Sequence, residues 1–494
     1  MPIILKYFTR SNFIILFLLI ASCFAIFLNL DANYIFLWDE GTYAVNAIEM
    51  HKSGDYLVKT YGGGPDMWAT NPPLVCYFQT LCMKIFGPGE LAVRMPSALA
   101  ALGVVLLIIR FSIKENLGLT FAVFAVLTLI TSKGYITYHV TRTGDLDSVL
   151  IFFITGSIMY YYKFIEYEDK KIKYLFIFGV FILLGYFAKG IACFMILPAF
   201  FIYTLVKNKT LYVLKTKQLH FLIIAILGLI FLYYYLRELR SPGYIAFAWK
   251  SEVGRWYTKV NPNHFKPFFY FVLRMYEKDF VYFFFFIPAF IIYFIFLPKG
   301  NVNKNKSAIW ILSLFTFLYI ISKSSTKLEW YAAPVYPMLA IIMGLGIKSA
   351  FTINNYSTVS SYVLKSVTVL AFFTGPYISI IKDDLAKDPG WHDVKFGEAL
   401  KRYNRIPSAP KKIEMLITGY NGHAQFYANL YNDKFGYEIS IRDVAGNITM
   451  SPGGIYLFTH PAISDHLKHG FEYDVIMEND GMMAVKIIKL KVTP

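Results

Sequence analysis

Long apolar runs alternate with short polar gaps along the first 380 residues, and that pattern predicts the main elements. Eleven stretches are continuously apolar: roughly 12–30, 90–111, 118–132, 146–165, 173–188, 190–206, 219–236, 279–297, 307–322, 331–348 and 361–381. About 20 apolar residues carry a helix across a membrane, so these runs predict about 11–13 transmembrane helices. Unbroken runs, rather than apolar/polar alternation, favour helices over barrel strands. The first run lacks a small-residue cleavage site and reads as a retained anchor.

Two regions depart from the pattern. The outer loop 31–89, with its polar heart at 31–73, is too long to be a mere connector and is expected to bind something. Within it, Tyr61-Gly62-Gly63-Gly64-Pro65 predicts irregular chain, and Asn71-Pro72-Pro73 breaks any helix before an amphipathic piece at 74–86. That piece is expected to lie along the membrane surface. Beyond about 381 the composition becomes that of a soluble domain. Strands are expected at 412–417, 455–458 and 483–488, with a helix at 423–431 between the first two. The expected division is a transmembrane domain over 1–381, carrying loop 31–89, and a small α/β domain over 382–494.

Composition agrees with the patterning. Hydrophobic residues make up 56% of the chain and mean hydropathy is +0.47, which excludes an ordinary soluble globular domain. The net charge of +16 invites a nucleic-acid reading, but its placement argues otherwise. Lys6 and Arg10 precede the first run, Lys207, Lys209, Lys215 and Lys217 follow the sixth, and Lys299, Lys304 and Lys306 follow the eighth. With eleven crossings these all fall on one side, as the positive-inside rule requires of the cytoplasmic face. Region 31–89, where six acids outnumber three lysines, then faces outward, and so does the C-terminal domain. Cys23 and Cys193 lie in apolar runs, and Cys76 and Cys82 fall on different faces of a helix, so no disulfide or metal-thiolate site is expected.

Polar groups on the outer side supply the candidate chemistry. Asp39 and Glu40, beside Trp38, form an acidic pair at the membrane surface, where an ionised pair is costly and therefore marks a candidate site. One carboxylate would act as a general base and the other would position it or bind a metal. The competing reading is a pair of solvated loop charges. Asp145 and Asp147, one residue apart, read either as part of the same site or as helix caps. Arg142, Lys189, Arg255 and Lys327 suit a phosphate or pyrophosphate, although each alone also reads as a topology charge. His264 is either a satisfied structural histidine or a metal ligand, and a divalent metal is the one cofactor the sequence allows for.

Several ordered pieces carry a resemblance. They are Trp38-Asp39-Glu40-Gly41 with Tyr43-Ala44, Asn71-Pro72-Pro73-Leu74, Arg94-Met95-Pro96-Ser97-Ala98 and Arg142-Thr143-Gly144-Asp145-Leu146-Asp147. Ala188-Lys189-Gly190, Arg255 with His264 and Pro267-Phe268-Phe269-Tyr270, and Lys327-Leu328-Glu329-Trp330-Tyr331 follow. Together they resemble the integral-membrane glycosyltransferases of the GT-C fold, in the branch of the bacterial aminoarabinose-lipid A transferases and protein O-mannosyltransferases. The resemblance implies a polytopic α-helical membrane enzyme that moves a sugar, with inversion, from a polyprenyl-phosphate donor to a lipid, glycan or protein acceptor. It places the site on the outer face of the bacterial cytoplasmic membrane. It also implies Asp39 as the catalytic acid residue supported by Asp145 or Asp147, and Arg255, Lys189 and Tyr331, with Asn71, around the donor phosphate. One departure stands out: family members often carry a glutamate and a lysine where this chain has Thr70 and Asn71. The competing class is a flippase for the same lipid-linked sugar, which would also want a charged cavity between helices.

Overall fold

The computed structural model describes residues 10–137, 139–254, 264–298, 300–353, 358–385, 395–444 and 448–491. Among these, seven helices are long and apolar enough to cross a membrane: Glu90–Lys114, Asp147–Glu166, Lys171–Val206, Lys217–Arg240, Val302–Lys323, Val335–Thr352 and Val359–Asp383. Shorter apolar helices occupy Ser11–Phe27, Leu74–Phe86, Gly118–Ile130 and Phe286–Phe296. Every apolar run expected from sequence carries a helix, though in 279–297 only Phe286–Phe296 is α-helical, and fewer are long enough to span than the eleven to thirteen expected. Part of the difference is physical. The runs 173–188 and 190–206 are joined without a loop through the 3-10 segment Gly190–Ile196, and together form one apolar stretch of 36 residues.

The chain forms two compact units. The first comprises residues 1–29, 70–75 and 96–386, and the second comprises 30–69, 76–95 and 387–494. This grouping corrects the division drawn at residue 381. The C-terminal segment packs with most of the outer loop, because that loop carries its own apolar helix face and needs a core to bury it against.

In the first unit, Gly344 permits a close helix crossing: a Cβ there would lie 2.8 Å from the Ala125 Cβ and 3.0 Å from the Phe121 carbonyl oxygen. Small residues at such crossings let helices approach where lipid supplies no hydrophobic drive. In the second unit a five-stranded sheet is built from β1 (Lys412–Ile417), β2 (Glu438–Asp443), β3 (Ile455–Phe458), β4 (Phe471–Asn479) and β5 (Met482–Leu490), in the order β2-β1-β3-β5-β4. β1 runs parallel to β2 and β3, whereas β3–β5 and β4–β5 are antiparallel. Side chains alternate across it. Met415, Leu457 and Ala484 point into one core, Leu416, Phe458 and Val485 into the other. The first core also holds Ala44, Val45 and Ile48 of helix Asp39–Ser53 and Ala424, Phe426 and Tyr427 of helix Gly422–Phe435. The three strands expected from sequence are present; β2 and β4 were not foreseen.

Candidate functional site

The site residues expected from sequence fall in both units. In the first unit, the loop between helices Gly118–Ile130 and Asp147–Glu166 buries Arg142, Thr143, Asp145 and Asp147. Its anchoring is local. Ser97 Oγ donates to the Asp145 carbonyl at 2.9 Å, and Ser148 Oγ donates back to the Ser97 carbonyl at 2.6 Å. The Asp145 carboxylate accepts from the Thr143 hydroxyl and lies 3.5 Å from His139 Nδ1. Burial alone would raise this carboxyl, but His139, the Thr143 hydroxyl and the Lys189 charge outweigh it and hold Asp145 below the usual carboxylate range. Asp145 is thus kept as an anion.

Asp147 pairs with Lys189, Nζ to Oδ1 at 2.5 Å. Lys189 ends the helix Lys171–Lys189, where a cation is favoured by the carbonyl end of the helix. Its ammonium lies 5.8 Å from the Tyr331 ring centre. Trp330 stacks on His139 with ring centres 3.9 Å apart and planes at 15°. Two ion pairs fix the turn Glu329–Ala332 that carries both aromatics: Arg274 to Glu329 at 2.6 Å and Arg274 to Asp279 at 2.9 Å. Asp147, Lys189, Tyr331, Trp330, His139 and Asp145 therefore form one connected polar-aromatic network.

The other expected residues of this unit vary in setting. Arg142 donates to the carbonyls of Ile26 and Leu28, at 3.3 and 2.6 Å, capping the helix Arg10–Phe27. Lys327 is buried, donates Nζ to the Ser324 carbonyl at 2.7 Å, and has its pKa lowered by that burial. Its backbone N–H donates to the His264 carbonyl at 2.9 Å. Asn71 adjoins Thr70, whose carbonyl accepts from the Tyr244 hydroxyl at 2.9 Å. Tyr244 in turn lies under the fully buried Arg237 guanidinium, 4.4 Å from the ring centre. Arg255 lies outside the described residues. His264 is in no cluster of three or more His, Cys, Asp or Glu ligand atoms among the described residues.

In the second unit the adjacent acids separate in role. Asp39 opens the helix Asp39–Ser53, where the exposed N–H groups favour a negative charge. Glu40 is fully buried and gripped by Arg94, Nε to Oε1 at 2.7 Å and Nη2 to Oε2 at 3.0 Å. Phe36 N–H adds a third bond at 2.8 Å. Arg94 also donates to the carbonyls of Leu30, Asn33 and Tyr34. Glu40 and Arg94 together shape the segment that leads into Asp39, and the solvated-charge reading does not hold for Glu40. His139, Arg237 and the roles of Trp330 and Arg94 were missed from sequence. The last two had a signal, Trp330 inside a quoted motif and Arg94 as an arginine at the foot of an apolar run.

A family model described as dolichyl-phosphate-mannose-protein mannosyltransferase matches residues 70–250. An uncharacterised protein of Aquifex aeolicus (strain VF5) is 28% identical over 363 residues, 72% of this chain and 68% of that one. YkcB of Bacillus subtilis (strain 168), whose name marks it provisionally as a mannosyltransferase, is 27% identical over 202 residues. That match covers 40% of this chain and only 26% of YkcB. The crystal structure of ArnT from Cupriavidus metallidurans bound to undecaprenyl phosphate superposes with a TM-score of 0.73 over 97% of this chain and 98% of ArnT, at 15% identity. The apo form of the same ArnT gives 0.70 at 14% identity over the same shares. The fold is that of ArnT, and the segment 70–250 carries the match to the protein-mannosyltransferase family model. This multi-pass helical fold with a small C-terminal sheet domain is the one expected from sequence.

Proposed function

We propose that this protein is a GT-C glycosyltransferase that moves a sugar from a polyprenyl-phosphate donor to a lipid, glycan or protein acceptor, with inversion, at the outer face of a bacterial cytoplasmic membrane. The observation that carries the reading is the likeness to ArnT along nearly the whole chain, since that structure is described as holding undecaprenyl phosphate. In the proposed reaction an acceptor oxygen attacks the anomeric carbon, the bond from that carbon to the phosphate oxygen breaks, and Asp39 takes the acceptor proton. The departing polyprenyl phosphate is already a good leaving group and needs cationic stabilisation rather than protonation.

Lys189 is the leading candidate for that stabilisation. Its pairing with Asp147 holds the half-buried ammonium in place until a phosphate competes for it. Lys327, Arg255, Tyr331 and Asn71 would complete the phosphate grip. Arg142, already committed to helix-end carbonyls, would act chiefly by holding its loop in place. No step is routed through a metal.

The test incubates purified protein with radiolabelled polyprenyl-phosphate sugars and a crude membrane extract. Wild type should move label to a new product, and Asp39→Asn should lower the rate by about 10²–10⁴-fold, as loss of a general base does. Unchanged transfer in Asp39→Asn would sink the base assignment. No transfer with any donor, together with movement of labelled lipid across vesicles, would favour the flippase.

A further inference from the structure

Three aromatic rings in the second unit form a stack at the residue that precedes Asp39. Tyr420 lies between Trp38, with ring centres 5.3 Å apart and planes at 15°, and Tyr61, at 5.6 Å and 25°. The Tyr420 hydroxyl also bonds the Thr42 hydroxyl, one helical turn after Trp38. These contacts fix the plane of the Trp38 ring from one side. Its other side is open, for Trp38 remains 58% exposed. Tyr420 comes from the turn between β1 and helix Gly422–Phe435, so the C-terminal segment supplies the middle ring of the three.

We infer that the outward face of Trp38, backed by Tyr420 and Tyr61, is an acceptor subsite that stacks a pyranose ring, so that the acceptor carries a sugar at the point of transfer. The inference rests on the proposed transfer reaction and deepens it. The axial C–H groups of a pyranose carry slight positive charge, and the face of an indole is the negative part of its quadrupole. A flat ring held rigid from behind loses little conformational freedom when a ligand covers it. Hydroxyl-bearing neighbours suit the rim of a sugar as they would not suit an acyl chain. Position supports the same occupant. Trp38 immediately precedes Asp39 at the start of helix Asp39–Ser53, which puts the platform at the same helix end as the proposed base. Burial, aided by the charges of Asp66 and Asp39, raises the Tyr420 pKa and keeps its hydroxyl protonated beside that carboxylate.

The test uses the full-length protein in nanodiscs and saturation-transfer NMR. The probes are methyl glycosides of common hexoses and N-acetylhexosamines, with a serine-containing tripeptide for comparison. At least one glycoside should receive saturation at its ring C–H protons, while the peptide does not. Trp38→Ala should weaken that binding about tenfold or more, and Trp38→Tyr should restore most of it. Thermal midpoints of the variants establish that they are folded. The inference is overturned if no glycoside is saturated by wild type. It is also overturned if Trp38→Ala binds as wild type does while losing indole quenching by brominated lipids, which would make Trp38 a membrane anchor. Binding of labelled polyprenyl phosphate is measured alongside. Its absence counts against the transferase reading, whereas its presence without glycoside saturation overturns only the sugar platform.

Discussion

At the scale of single residues, the informative feature is how differently two adjacent carboxylates are used. Asp39 and Glu40 have the same formal charge and nearly the same place in the sequence, which gives a reader no means of separating them. What separates them is Arg94, 54 positions away, whose guanidinium forks onto Glu40 and also satisfies three backbone carbonyls. Removing one partner of such a buried pair leaves the other charge uncompensated, at about 3–5 kcal/mol. Arg94→Ala should therefore lower the thermal midpoint sharply and abolish transfer. Arg94→Lys should rescue little, because a point charge cannot make the paired bonds of the fork. A thermal scan of both variants in nanodiscs checks this. A midpoint within a degree or two of wild type would mean that Glu40 does not need its partner. The Lys189–Asp147 pair was likewise hidden in the sequence, where the two residues read only as separate polar groups on the same side of the membrane.

At the scale of elements, two helix starts meet. A Cβ on Gly41 would come within 2.8 Å of the Phe36 carbonyl oxygen and 3.0 Å of the Gly422 carbonyl carbon and His423 nitrogen. Only glycine fits such backbone-to-backbone approach, and Gly41 was visible in the sequence as part of a motif without this reason for it. His423 locks the junction. It is fully buried, its Nε2 accepts from Gly397 N–H at 2.9 Å, and its Nδ1 donates to the Ile35 carbonyl. That pattern requires a neutral ring, and burial brings its pKa down from 6.5 to about 4. The unfolded chain binds a proton below pH 6.5 that the folded protein refuses until about pH 4. The stabilisation is thus complete above the higher value and is lost as pH falls towards the lower one, by about 3 kcal/mol in all. Thermal midpoints across that window should fall more steeply for wild type than for His423→Gln. Parallel curves would remove His423 from the acid sensitivity. The apolar helices were legible because lipid demands long unbroken runs. β2 and β4 were not, because β2 has only two apolar residues, Ile439 and Ile441, among polar ones, and β4 breaks its apolar/polar alternation in an apolar run at Val475-Ile476-Met477.

At the scale of the whole molecule, the sequence supports an orientation more firmly than it supports unit boundaries. Charge bias in loops is a local property that survives uncertainty in individual helix ends, whereas the grouping of 30–69 and 76–95 with 387–494 depends on contacts between segments hundreds of residues apart. The orientation can be tested directly. Cys76, Cys82 and Cys193 are buried and Cys23 is only partly exposed, so the native thiols should give little background labelling. Asn208 and Ser408 are both exposed at turns, Asn208 beside the lysine-rich loop and Ser408 in the C-terminal domain. A membrane-impermeant maleimide added to intact cells with a permeabilised outer layer should label Asn208→Cys only after lysis and Ser408→Cys before it. Labelling of both before lysis would mean an even number of crossings between them. The reverse order would put the C-terminal domain in the cytoplasm, and with it Tyr420, Trp38 and the proposed acceptor subsite. A polyprenyl-phosphate sugar presented on the outer leaflet could not then be the donor. The experiment thus bears on the compartment, the donor leaflet and the acceptor pool together, because one compact unit carries both the proposed base and the domain whose side of the membrane is being measured.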